Sequence, residues 1–330
     1  MYQLLRYGVA LSVALFALSA NADLQQELDN LAPGSSFELP PETLSSLAIR
    51  VPGVSVSCAP ETVIDGAGQG NAVEILAERI TFSGCQVRNW GKDLNELDTG
   101  IFVAREAQGA VVENNRLQGP AFGVWLDATP DVTVRENHIR GDTSLRSQDR
   151  GNGIHLFNTT GALIENNDIN QTRDAIYIET ANRNTIRGNV MSDLRYGIHY
   201  MYSMHNLLEN NVTRGTRTGY ALMQSKYLKV FNNRSENDEN YGILMNFITN
   251  SELRNNVVTG VSQGQSAGVV ISGAEGKAVF IYNSLYNTFE GNYFGHSNIG
   301  IHLTAGSEEN QVFNNAFVEN QRQVKYVATR

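Results

Sequence analysis

The sequence predicts an all-β chain wound into a right-handed parallel β-helix, and three observations carry that prediction. A small residue followed by an apolar-leaning run recurs at Gly100, Gly123, Gly153, Ala175, Gly197, Gly219, Gly242, Gly268 and Gly300. A second series, Asn115, Asn137, Asn167, Asn189, Asn211, Asn233, Asn256, Asn292 and Asn315, keeps the same dominant interval of 22 residues. Between the markers, short runs alternate apolar and polar residues and are separated by Gly, Asn and Asp turns, as strands require. Two independent markers with one period identify a true repeat. A unit this short cannot bury its own apolar face, so neighbours must stack, each advancing by one strand spacing of ~4.8 Å. A leucine-rich repeat has a similar length, but its leucine lattice and helical segment are missing.

Taken in order, residues 1–22 read as an export signal, with Arg6 in a short basic start, an apolar run from Gly8 to Leu18, and Ala20-Asn-Ala22 as the cleavage pattern. The run is too short to span a bilayer, so a mature chain beginning after Ala22 is expected outside the cytoplasm. Residues 23–50 are expected to form an amphipathic helix (Leu24, Leu28, Leu31) and a lead-in that caps the first coil. The β-helix is expected over 51–330, with weaker spacing up to Trp90, a polar loop at Arg140–Arg150, and an expanded unit across Gly260–Ser297. Val312–Phe317 and Val324–Val327 still read as coil strands with no cap before Arg330, so the solenoid is expected to be incomplete at its C-terminus. Cys58 and Cys85 lie about one coil apart in a compartment where disulfides persist; they read either as a disulfide or as two buried thiols.

Charge narrows the function classes. The chain carries a formal net charge of -9, and loss of Arg6 with the signal makes it more acidic. Such a surface repels phosphate backbones, which argues against nucleic acid as a partner.

Period-2 alternation assigns the faces of each coil. Positions one and three after the small residue point inward, for example Ile198/Tyr200, Ile243/Met245 and Val269/Ile271. Positions two and four point outward and make an unusual solvent face. His199 and Met201 project from one coil and Met223 from the next, with Met204 and His205 on the turn just beyond. Thioether and imidazole donors suit transient Cu(I); the same groups also suit packing against a partner, because methionine adapts to binding surfaces. A second set, Trp125, His155, Tyr177 and Glu179, runs along the same face with Asp127 and is read as partner-binding. Aromatics with carboxylates in a groove also fit sugars: Asp127 and Glu179 lie two coils apart, and His155 with Tyr177 has the form of a base and acid pair. No basic cluster is evident on this strip to hold an acidic polymer.

The run Arg195-Tyr-Gly-Ile-His-Tyr-Met-Tyr-Ser-Met-His205, with Asp98-Thr-Gly-Ile-Phe-Val103, Gly151-Asn-Gly-Ile-His155 and the Asn-Asn coils, resembles the NosD family over residues 51–330. The resemblance implies a non-enzymatic periplasmic scaffold in nitrous oxide reductase maturation. It further implies an ABC ATPase and a membrane permease as partners, together with a copper chaperone and the apo nitrous oxide reductase. The rival class is a carbohydrate-active β-helix enzyme, a polysaccharide lyase or hydrolase. Alginate epimerases of this fold carry Asp-Pro-His, and none of the seven prolines here precedes a histidine.

Overall fold

The computed structural model describes residues 23–263 and 275–327; residues 1–22, read above as an export signal, and residues 264–274 and 328–330 lie outside them. The described residues form the parallel β-helix expected from the repeat. Three sheets of twelve strands each take one strand from every coil, and all their pairings are parallel. No helix among them is long and apolar enough to cross a membrane.

A short helix at residues 23–29 buries Leu24 and Leu28 against the first coil, and Leu31 packs beside them. The Gln25 amide reaches the edge of the third sheet, where Nε2 donates to the Ala48 carbonyl (2.8 Å) and Oε1 accepts from the Ala48 N–H (3.0 Å). Part of the segment expected as lead-in is itself a coil: Ser36–Leu39, Thr43–Leu44 and Leu47–Ile49 pair in register with Ser55–Cys58, Val63–Asp65 and Val73–Ile75.

The asparagine markers divide two jobs between neighbouring residues. The marker itself, buried from Asn115 to Asn292, builds a ladder along the axis. Asn189 Nδ2 donates to Asn211 Oδ1 at 2.9 Å, and Asn211 Nδ2 to Asn233 Oδ1 at 2.9 Å. Each side-chain oxygen also accepts the backbone N–H of the preceding rung. The first residue of the pair takes the left-handed backbone that the corner needs, as at Asn166 (φ 55°), Asn210 (φ 57°) and Asn232 (φ 56°). Cys85 occupies the rung before Asn115, whose Oδ1 accepts the Cys85 N–H. Cys58 and Cys85 are disulfide-bonded with Cα atoms 5.0 Å apart, which selects between the two readings of this pair.

The small residue of each third-sheet strand has a steric cause. A Cβ at Gly197 would fall 2.6 Å from the Gly219 carbonyl oxygen of the next coil. Inward positions behave as alternation requires, and Ile198, Tyr200, Ile243 and Met245 are buried. The unit expected to open at Gly268, with Val269 and Ile271 inward, lies outside the described residues; the third-sheet strand of that coil is Lys277–Tyr282, which pairs Ile243 with Val279 and Met245 with Ile281, and Ala278 fills the small position.

Candidate functional site

The candidate site lies on the outer face of the third sheet, where register converts the repeat into columns. Trp125 pairs with His155, His155 with Tyr177, Tyr177 with His199, and His199 with Ala221. The rings touch in that order: Trp125 to His155 at 4.0 Å between centroids, His155 to Tyr177 at 4.6 Å, and Tyr177 to His199 at 4.5 Å. A second column, two residues further along each strand, runs Asp127, Phe157, Glu179 and Met201, and the pairing of Tyr200 with Leu222 sets Met223 beside Met201.

Although these residues point away from the core, much of the first column is covered. Trp125 and His155 are each 5% exposed and His199 is 9% exposed. Phe122 packs edge-on against Trp125 and His155. The loop expected at Arg140–Arg150 folds back, and Arg150 holds it by donating to the Leu145 and Gln171 carbonyls. At the end of this loop, Arg150 borders a cavity of about 330 Å³ lined by Leu94, Phe122, Arg150, Asn152, His155, Arg173, Asp174, Tyr177, Arg195 and His199.

Asp174 is the electrostatic centre. It is 1% exposed and accepts from Arg195 Nε (2.8 Å), from Arg195 Nη2 (2.6 Å) and from His199 Nδ1 (3.0 Å). Burial alone would raise its carboxyl; the Arg195 and His199 hydrogen bonds and charges outweigh that and hold it below the usual carboxylate range. Arg195 also lies over the Tyr196 ring at 4.4 Å. With Nδ1 committed to Asp174, His199 keeps Nε2 without a hydrogen-bond partner.

His155 sits 3.3 Å from the Asn152 amide and 3.4 Å from Glu179 Oε2. Burial pushes its imidazole down despite the nearby Glu179 and Asp174 charges, so it is neutral near pH 7. The same contact with His155 lowers Glu179. Tyr177 is pushed up to about 12, chiefly by burial and then by Glu179 and Asp174.

The soft donors divide between this cavity and the adjoining corner. Met201 and Met223 are half-buried beside each other, Met204 is half-buried on the turn, and His205 is exposed. Met204 bridges Lys226 of the next coil, and the His205 ring stacks on Tyr227 at 4.8 Å and 11°. Around them stand exposed aromatics: Tyr202 (55%), Tyr227, Phe247 (50%), Tyr282 and Tyr286 (59%). Among the described residues no group of three or more His, Cys, Asp or Glu could hold a metal ion.

Of the set read as partner-binding, Trp125 and His155 are buried, and Tyr177 and Glu179 are half-exposed. The absence of a basic cluster is corrected: Arg150, Arg173 and Arg195 converge on this strip. Alternation along strands missed them because they stand before the strands and in the overlong loop. A signal was present, since Arg173, Arg195 and Arg217 recur at the coil interval.

A family model described as periplasmic copper-binding protein (NosD) matches residues 135–330. A Pseudomonas aeruginosa protein named as an ABC transporter binding protein NosD is 54% identical over 273 residues, covering 83% of this chain and 64% of that protein. One of the same name from Stutzerimonas stutzeri is 49% identical over 331 residues, covering 98% of this chain and 76% of that protein. Among solved structures, the Streptococcus pneumoniae surface adhesin PfbA superposes with a TM-score of 0.70 at 10% identity, covering 94% of this chain and 89% of that one. At that identity the likeness concerns the fold alone.

Proposed function

The chain belongs to the NosD family, and from that premise we propose that it is a non-enzymatic periplasmic scaffold of an ABC-type complex that assists copper delivery to nitrous oxide reductase. Its docking surface is the corner at Met201, Met204, His205 and Met223. The observation that carries this reading is the run of exposed aromatics beside those thioethers, Tyr202, Tyr227, Phe247, Tyr282 and Tyr286. Exposed apolar strips of this kind mark interaction sites, and aromatic and methionine side chains are enriched in interfaces.

The donor set fits Cu(I) as transient cargo. Thioethers are soft ligands that stay available where thiols are oxidised, and here both cysteines are consumed in a disulfide. Met201 and Met223 stand one strand spacing apart, ~4.8 Å. His199 joins the set through its Asp174 bond, because a histidine whose other nitrogen donates to a carboxylate has the form of a metal ligand. A copper chaperone would dock at this corner, with Tyr177 and Glu179 as flanking contacts and Trp125 and His155 stiffening the strip beneath. The apo-reductase, an ABC ATPase and a membrane permease complete the assembly.

The test is the double variant Met201→Ala/Met223→Ala. It should keep its thermal stability within a few degrees while losing at least tenfold in Cu(I) retention against a chelator or in chaperone affinity. Unchanged copper transfer to the reductase would count against the proposal. A second reading, a polysaccharide lyase, is favoured by one observation, the neutral His155 beside Tyr177 and three arginines. Its test is the release of unsaturated products from pectin or alginate, abolished in Glu179→Gln.

A further inference from the structure

The cavity beside Arg150 holds arginines that copper docking at the methionine corner does not use. Three guanidiniums line it against one carboxylate. Asp174 is already committed to Arg195 and His199. Arg150 gives one N–H from each nitrogen to backbone carbonyls, which carry no formal charge to neutralise it, and keeps the second N–H of Nη1 and of Nη2. Neither Arg150 nor Arg173 has an ion-pair partner among the described residues, and Arg173 Nε is buried with no hydrogen-bond partner.

A buried guanidinium N–H left unpaired is costly, and an excess of positive charge in a cavity of an acidic protein concentrates anions there. The remaining lining suits a small ligand with an anionic end. Tyr177, held protonated, offers a hydroxyl donor, while Leu94 and Phe122 form an apolar wall.

We propose that this cavity binds the anionic oxygen head group of a small molecule, held by the Arg173 and Arg150 guanidiniums with the Tyr177 hydroxyl alongside. Guanidinium donors in a fork match carboxylate and tetrahedral oxyanion geometry alike. The ligand source is therefore either an inorganic oxyanion or a carboxylate such as a sugar acid, whose ring would lie on Phe122 and Leu94. The inference is separable from the copper reading: the corner methionines lie outside the cavity, the two readings share His199 and Tyr177, and Arg150 and Arg173 take no part in the copper set.

The experiment is calorimetric titration of the full chain with sulfate, inorganic phosphate and galacturonate, at ionic strength fixed with chloride. Saturable binding of sulfate or phosphate is expected for an inorganic source, and stronger binding of galacturonate for a sugar-acid source. Arg173→Gln should weaken the bound anion at least tenfold, whereas Arg217→Gln, the exposed next position in the arginine series, should leave it unchanged. Should Arg173→Gln fail to fold, Leu94→Glu provides the second variant, since it sets a negative charge on the cavity wall and should abolish binding. Absence of saturable binding for all three anions, or equal affinity in wild type and either cavity variant, would overturn the proposal.

Discussion

His199 donates through Nδ1 to the buried Asp174 at 3.0 Å, from the next coil of the solenoid. The bond joins the outward His199 to the residue that precedes the small position of the coil before it, making one charged centre completed by Arg195. The Asp174 carboxyl is held below its usual range, so its folded value is depressed. Its contribution to stability is present above the unfolded value near 4 and lost as pH falls through the folded value. Asp174→Asn should lose about 3 kcal/mol at neutral pH, because Arg195 is left without its partner. Urea denaturation from pH 7 down to pH 3 checks both points: the gap between wild type and variant should narrow as the solution becomes more acid.

Asp238 gives the opposite sign. It is fully buried and accepts from the Thr216 N–H and the Thr213, Thr216 and Ser235 hydroxyls, with no cation beside it. Burial raises its carboxyl above the usual range despite those bonds. Stability therefore falls as pH rises from the unfolded value through the folded one. Asp238→Asn should remove that fall, so that melting temperatures of wild type and variant diverge in the variant's favour between pH 4 and pH 7.

Neighbouring asparagines separate ladder from corner. Asn211→Ala removes the acceptor for the Asn189 N–H and amide and the donor to the Ile186 carbonyl. At about 1–3 kcal/mol for each buried group left unpaired, it should cost about 3 kcal/mol or more. Asn210→Ala, exposed with φ 57°, should cost only about 1–2 kcal/mol from backbone strain, and Asn210→Gly less. Chemical denaturation of the three variants checks the order.

Reduction of the Cys58–Cys85 bond opens a loop of sequence separation 27. The loss should be about 3–4 kcal/mol by loop entropy. It should be read as a lower melting temperature in reductant, absent in a Cys58→Ser/Cys85→Ser variant.

The corner aromatics test docking apart from metal. Tyr202→Ala/Tyr227→Ala removes two exposed rings, with stability expected to shift by about 0.5 kcal/mol or less per site. Affinity for the copper chaperone, measured by surface binding, should fall at least tenfold.

The fold was legible because its information is periodic. Spacing alone located the small residues that let coils approach and the asparagines that bind them, and alternation chose the buried partner of each strand. The site was legible in part. Alternation correctly put His155 and His199 on the outer face, but it carries no information about what lies over that face. Phe122, which precedes the small marker of its coil, packs on Trp125 and His155, and Arg150 and Leu94, which stand outside the strands, line the cavity, so the burial of Trp125 and the cavity were invisible. Nor could spacing reveal that Asp174 reaches His199, a contact between coils set by side-chain geometry. Gly268 shows the same limit: spacing cannot choose between the small residues of one overlong unit, whereas the strand at Lys277–Tyr282 is fixed by its pairing with Tyr241–Asn246.

Gln25 bears on the solenoid's behaviour in a crowded compartment. A side-chain amide offers the same donor and acceptor as a peptide group, so its clasp on Ala48 satisfies the rung that a foreign strand would seize. Templated growth from that rung must first evict glutamine, making one side-chain rotation a safeguard against fibre formation.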